Sequence, residues 1–489
     1  MSDTPTLSTN PPTIPSPRAS LEAWIDAHAG AIIESTQGVL RIPSVKDAAT
    51  TGENAPFGRS IADALVYTLA ECDRHGFHTE NFAGYAGHAD FGAGAEIAAM
   101  LGHLDVVPVG KGWTHDPWGA TVADGFLWGR GTSDDKGPTY AAMWGAFAAK
   151  AVCEAQGITL SKRIRLIFGC DEESGWECMA HYFGAAGQTK PSVAFTPDAY
   201  FPLVYAEKGS FTASAVRDFA PSSADVRLVS FHAGQRPNMV PDEAVAVLKG
   251  NSGALELIAH ILAPLDKIMA TPAGDTLTVT AKGTAAHGST PDQGDNAAVK
   301  LARALTSNLS AFDDLDGEAA AWLADLAKRG ASLTGAENGI AATDEITGAL
   351  TCNLGVVTLE NGTAIAQYNV RYPATADGDA LVTRFTESVA RSGCRVPQVT
   401  ITPPLYVPVD AEPVRTLLRV YREHTGDMTA PKTMGGRTYA TSVAPAGVAF
   451  GAAMPGDPET AHQADERFAV ARLLQCAKIY AHALIEMAR

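Results

Sequence analysis

Four stretches of strand length break off into acids or histidines: "AAMLGHLDVVP", "RLIFGCDEES", "SVAFTPDAYFP" and "GVAFGAAMPGDPETAHQADE". Their strand portions run from Glu96 to Leu101, Ile164 to Phe168, Val193 to Phe195 and Gly447 to Phe450. Helical periodicity covers 59–75, stopped by Gly76, then 138–156, stopped by Gly157, and finally 465–488. Short strands alternating with helices predict an α/β domain with a largely parallel sheet. Ligands of open α/β sheets bind outside the carboxyl ends of the strands. The residues just past these strands are His103 and Asp105, Glu172 and Glu173, Asp198, and His462, and they are expected to converge on one crevice. A Gly-bounded loop before a helix, "LWGRGTSDDKGP", adds Asp134 and Asp135.

Convergence of so many acids creates an electrostatic problem. Asp171, Glu172 and Glu173 are consecutive, and packed carboxylates cannot all stay ionised without countercharge. Divalent cations supply it. Mixed histidine and carboxylate donors favour zinc, with cobalt or manganese as alternatives, whereas calcium and magnesium prefer all-oxygen cages. Two such ions roughly 3.5–4 Å apart make a hydrolytic centre.

The middle of the chain follows a different pattern. "TLTVTAKG" alternates like a half-exposed strand, and Asn361-Gly362 in "LGVVTLENGTAIAQYNVRYP" separates two alternating runs as in a hairpin. With a helix at "DNAAVKLARAL", these features predict an antiparallel α+β domain inserted over 208–403. The catalytic domain is then discontinuous, over 19–207 and 404–489. Residues 1–18, rich in Pro, Ser and Thr, read as a disordered tail.

A net charge of −17 argues against nucleic acid or an anionic membrane as partner, since either wants a basic face. With no charged-then-apolar leader and no apolar run near 18 residues, a cytoplasmic protein is expected. Its seven scattered cysteines fit reduced thiols.

"GHLDVVPVGKGW", "WGRGTSDDKGP", "CDEESG", "TPDAYFP", "AHGSTPDQGDNAA" and "GDPETAHQADE" together resemble the M20 family of metallopeptidases. "NMVPDEA", "VRYPAT" and "GGRTYA" extend the similarity to its PepV-like dipeptidase branch. The resemblance implies a zinc-peptidase-like α/β catalytic domain with the insertion as a lid. It assigns His103, Asp134, Glu173, Asp198 and His462 as metal ligands. Asp134 would bridge two zincs across a cis Asp134-Asp135 peptide, with His103 and Asp198 on one ion and Glu173 and His462 on the other. Asp105 would hydrogen-bond His103 and orient it. Glu172 would act as general base toward a metal-bridging hydroxide. In the lid, His287 would donate to the oxyanion, and Asn238, Arg371, Gly435 and Gly436 would bind substrate. Arg437 stands where that branch carries a third glycine.

The expected activity is hydrolysis of dipeptides bearing free amino and carboxyl ends. The alternative within the same family is removal of acyl or succinyl groups from N-acyl amino acids. The insertion is long enough to supply His287 within one chain, so a monomer acting on a small peptide is expected.

Overall fold

The computed structural model describes residues 15–307 and 317–489. The expected N-terminal tail lies outside the described residues over 1–14, and its last residues are not tail: Pro17 opens the helix Pro17–Ala27. The Ser16 hydroxyl caps that helix by accepting from the Ala19 amide, and a proline at the first helical position gives up no hydrogen bond.

The chain divides into two compact units. One runs to Tyr205 and takes in Val407–Lys432 and Thr438–Arg489; the other comprises Ala206–Tyr406 and Thr433–Arg437. The five residues Thr433–Arg437, which the sequence reading assigned to the catalytic domain, therefore pack with the inserted unit. Within that unit the Met434 carbonyl accepts from the Lys208 amide, which ties the short segment to the start of the insertion.

In the first unit, strands His78–Phe82, Ala86–Phe91, Arg163–Gly169, Ile97–His103, Val193–Thr196 and Gly447–Ala449 lie side by side in that order. The centre is parallel and the first two strands are antiparallel to their neighbours. Every residue of Ile97–His103 is buried, as a strand covered on both faces requires. The parallel register sets His103 opposite Gly169, so "CDEES" begins beside the end of the His103 strand.

Helix Lys136–Gln156 follows Asp135 directly and ends at Gly157, whose φ of 65° is the left-handed conformation that stops helices. The final helix is Val470–Ala488, not 465–488. Residues Arg467–Ala469 pair instead as a strand with Phe126–Trp128, which anchors the end of the turning loop that carries His462.

The second unit carries an antiparallel sheet in the order Ile268–Ala273, Thr276–Lys282, Glu243–Gly250, Val226–Ala233, Thr351–Glu360, Thr363–Tyr372, Gly209–Asp218, Val399–Thr402. Its hairpin turns at Asn361 (φ 50°) and Gly362 (φ 79°), the two positive angles that a type I′ turn needs. Period-two alternation divides the sheet faces. Phe211, Ala213, Tyr368, Val370 and Tyr372 join a core with helices Ser252–Leu262, Ala297–Ser307, Gly317–Gly330 and Gly378–Ala390. The intervening residues Ser210, Thr212, Asn369 and Arg371 lie on the other face.

The helix that begins beside Asp135 packs backbone-to-backbone on the C-terminal helix. A Cβ at Gly145 would come within 2.9 Å of the Ala477 carbonyl oxygen and the Ala481 nitrogen. Helix propensity favours replacing glycine by a few tenths of a kcal/mol for valine, but overpacking costs about 1–3 kcal/mol, so the clash wins. Gly145→Val is expected to lower the thermal midpoint measured by calorimetry; an unchanged or raised midpoint would mean that the helices have room to separate.

Candidate metal centre

His103, Asp134, Glu172, Glu173, Asp198 and His462, marked by the sequence, come together in the first unit, and Asp134 is their centre. Its Oδ1 lies 3.0 Å from His103 Nε2 and its Oδ2 3.0 Å from His462 Nε2. Glu173 Oε1 is 2.9 Å from the same His462 nitrogen, and Asp198 Oδ2 is 3.9 Å from His103 Nε2. Two donor triplets suit a metal ion, His103–Asp134–Glu173 and His103–Glu172–Asp198. Glu172, read from the resemblance as a proton carrier, thus lies within ligating distance as well. The Asp134-Asp135 peptide is cis.

The supports of these groups are partly those expected. His103 Nδ1 lies 2.9 Å from the Asp105 backbone carbonyl, against 3.6 Å from its carboxylate. The shorter, main-chain contact is the hydrogen bond, so the ring donates from Nδ1 and presents Nε2 to Asp134. Asp105's carboxylate instead accepts the amides of Glu172 and Glu173, each at 3.0 Å. Two adjacent amides match the two oxygens of an ionised carboxylate, which accepts only. Asp105 therefore positions the ring with its main chain and the Glu172-Glu173 turn with its side chain. The third neighbouring acid, Asp171, is turned aside: it accepts from Lys46 Nζ at 2.7 Å and from the Glu177 amide at 3.0 Å.

The sequence reading missed Glu466. Wholly buried, it accepts from the amides of Gly131, Ser133 and Asp134 at 3.1, 2.9 and 3.2 Å and pairs with Arg130 Nη1 at 2.5 Å. One carboxylate thus fixes the loop that presents Asp134. Its neighbour Asp465 holds Thr114 through amide and hydroxyl, both at 2.8 Å, and anchors the His462 loop. The available signal is the pair of acids in the run "HQADE", which follows the His462 ligand candidate directly.

Electrostatics explain why this group needs cations. Burial raises the carboxyls of Glu172, Glu173 and Asp198, and the charge of Asp134 adds to each shift. Burial also opposes ionisation of Asp134, but hydrogen bonds from His103 and His462 outweigh it and hold that carboxyl far below its usual range. Hydrogen bonds to Asp134 and Glu173 lift His462 to about 10. Divalent ions fit the same donor set and supply the countercharge that the acids need.

In the second unit, His287 is exposed and bridges Met239 in antiparallel fashion. The Ser289 amide points to His287 Nδ1 at 3.3 Å and its hydroxyl lies 2.6 Å from the same atom. An amide can only donate, so Nδ1 accepts and the neutral ring carries its hydrogen on Nε2. Asn238's carbonyl takes the Gly288 amide at 2.7 Å, and Asn353 Nδ2 holds the loop by donating to the Pro237 and Met239 carbonyls, both at 2.9 Å. Gly435 packs on Ser289, where a Cβ would meet Ser289 Cβ at 3.3 Å, and Gly436 follows it in the same segment. Arg371 lies in the sheet, its Nε donating to Asn369 Oδ1 at 3.2 Å.

Removing one partner of a buried ion pair costs about 3–5 kcal/mol because the other charge stays buried. Glu466→Ala strands Arg130 and frees three amides, so its unfolding free energy from urea titration is expected to fall by an amount in that range. A loss under 1 kcal/mol would mean that the Asp134 loop is held by other contacts.

A match to peptidase family M20/M25/M40 spans residues 99–486. A Bacillus subtilis (strain 168) relative named "Putative dipeptidase YtjP" is 37% identical over 464 residues, covering 94% of this chain and 97% of its own. A Staphylococcus aureus (strain USA300) relative named "Putative dipeptidase SAUSA300_1697" is 34% identical, with coverages of 93% and 97%. Human carnosine dipeptidase 1 shares the fold at a TM-score of 0.56 and 14% identity, covering 97% of this chain and 99% of its own. Dug1p, a dipeptidase of Saccharomyces cerevisiae, matches at the same TM-score with 12% identity and coverages of 96% and 98%. With its α/β catalytic architecture and inserted α+β unit, the chain belongs to peptidase family M20/M25/M40.

Proposed function

We propose that this protein is a metallodipeptidase that hydrolyses peptides of two residues with free amino and carboxyl ends. The observation that carries the reading is Asp134 contacting His103 with one oxygen and His462 with the other, with Glu172, Glu173 and Asp198 beside them. Relatives named as dipeptidases over nearly their whole length support the substrate class.

His103, Asp134, Glu173, Asp198 and His462 would hold two divalent ions, zinc by preference and cobalt or manganese as alternatives. Bound there, the ions supply Lewis acidity and a nucleophile at neutral pH. Glu172 takes a proton from the attacking water on its carboxylate and returns it to the leaving amine. Burial and its acidic neighbours raise Glu172, which favours a group that must hold the proton between those steps. His287 Nε2–H donates to the oxyanion, Arg371 grips the substrate's carboxylate, and Asn238, Gly435 and Gly436 contact its backbone. With His287 in its own chain, the protein acts as a monomer. Seven unbonded cysteines support a reducing, cytoplasmic setting.

A panel of Ala-Ala, N-acetylalanine and Ala-Ala-Ala on the zinc-loaded enzyme tests the reading. Ala-Ala is expected to be cleaved best; preference for N-acetylalanine would establish the deacylase alternative instead. Glu172→Gln is expected to lower kcat on Ala-Ala by about 10²–10⁴ while metal content stays at the wild-type level. Metal loss from that variant would make Glu172 a ligand. His287→Ala should lower kcat by about 10²–10³. Mixing it with Glu172→Gln should restore nothing if each chain serves its own site, whereas recovered activity would require exchange of His287 between chains.

A further inference from the structure

Glu172 and Glu173 follow one another in the chain, but the proposed function gives them different duties, proton transfer for the first and metal ligation for the second. The peptide plane they share helps to aim both. That plane is gripped at its two edges: the Glu173 amide donates to Asp105 Oδ2 at 3.0 Å, and the Glu172 carbonyl accepts from the indole Nε1 of Trp176 at 2.7 Å. The preceding plane is held as well, since the Glu172 amide donates to Asp105 Oδ1 at 3.0 Å. With the planes on both sides of its Cα fixed, Glu172 keeps neither of its two soft backbone dihedrals free.

Trp176 is held in place at a cost. Its φ of 61° is left-handed, a conformation that suits glycine and disfavours a bulky residue, although Gly175 stands next to it with no positive φ. Backbone strain of this kind persists only where the surroundings over-determine it, and it gathers at functional sites. Here the Trp176 amide donates to the Asp171 carbonyl at 2.9 Å and the Glu177 amide to Asp171 Oδ2 at 3.0 Å, which closes the turn. The half-buried indole meets the edge of Tyr439 with ring centroids 5.3 Å apart, and Tyr439 meets the His103 ring at 6.2 Å in the same manner. Tyr439 is itself buried, with its hydroxyl 2.9 Å from Cys178 Sγ. One aromatic ring thus touches both a proposed ligand and the indole that holds Glu172.

We propose that Trp176 is a positioning residue for Glu172, aiming its carboxylate by holding the shared peptide plane from the edge opposite Asp105. This rests on the reading of Glu172 as the proton carrier. Trp176 acts through the Glu172 carbonyl, by one hydrogen bond that a phenyl ring cannot make. Displacing a reacting group by about 1 Å can cost roughly 100-fold in rate, so loosening one of the two grips is felt in turnover.

The test is Trp176→Phe, which keeps a ring beside Tyr439 and removes the donor, measured alone and combined with Glu172→Gln on the zinc-loaded protein. Alone, it should lower kcat about tenfold, with KM within about twofold of the wild type and metal content unchanged. In the Glu172→Gln background it should lower kcat by less than about twofold, because no carboxylate is left to aim. Hydrogen exchange of the segment 171–177, read by mass spectrometry, should be faster in Trp176→Phe than in the wild type, while exchange of Ile97–His103 stays the same. Equal losses of kcat in the two backgrounds, an unchanged kcat in Trp176→Phe, or loss of metal from it overturns the proposal. The cycle is run on whichever of Ala-Ala and N-acetylalanine the wild type hydrolyses, so a preference for N-acetylalanine removes the dipeptidase reading without deciding against Trp176. If neither is hydrolysed, that reading fails and the exchange comparison decides: equal exchange of 171–177 in the two proteins overturns the proposal.

Discussion

A half-buried carboxylate shared by two imidazoles is the contact on which the metal centre of the first unit depends. Asp134 spends one oxygen on His103 and the other on His462, and these histidines come from segments more than three hundred residues apart in sequence. Such a group is stable only if its backbone cannot move away. Glu466 provides this by accepting the amides of Gly131, Ser133 and Asp134 while neutralising Arg130, and Asp105 accepts the amides of Glu172 and Glu173. Both devices use an ionised side chain to hold main-chain donors, which gives stronger hydrogen bonds than neutral acceptors would. The acids that face the centre are thereby positioned by acids that do not.

The sheet explains why these loops meet. Parallel strands put all their carboxyl ends on one edge, and the register of His103 with Gly169 aligns the two most heavily charged turns. The helix leaving Asp135 then lies in backbone contact with the C-terminal helix at Gly145, so the loop before one and the loop before the other are tied through a close packing surface. In the second unit, by contrast, an antiparallel sheet keeps one face for its core and leaves the other polar. That polar face is where Arg371, Asn369 and Thr351 stand.

Much of this was legible in the sequence because it is written in local chemistry. Continuous apolar runs ending in acids gave the buried strands, and Asn361-Gly362 gave the hairpin through the positive angles that those residues tolerate. Other features depend on partners distant in sequence. Helical periodicity extends back to 465, but pairing of Arg467–Ala469 with Phe126–Trp128 overrides it. Nothing in Thr433–Arg437 announces that five residues join the other unit, because the cause is a strand-like contact with Lys208. Glu466 carries no mark in the sequence because burial of an acid is visible only once its donors are assembled. Asp105 was identified as an orienting residue, but which of its oxygens faced the ring was not a sequence property.

The most direct measurement is anomalous diffraction at the zinc edge from crystals of zinc-loaded protein. Two peaks in each chain are expected, flanking the Asp134 carboxylate, with His103 and Asp198 on one and Glu173 and His462 on the other. A single peak, or zinc bound away from Asp134, would contradict the account.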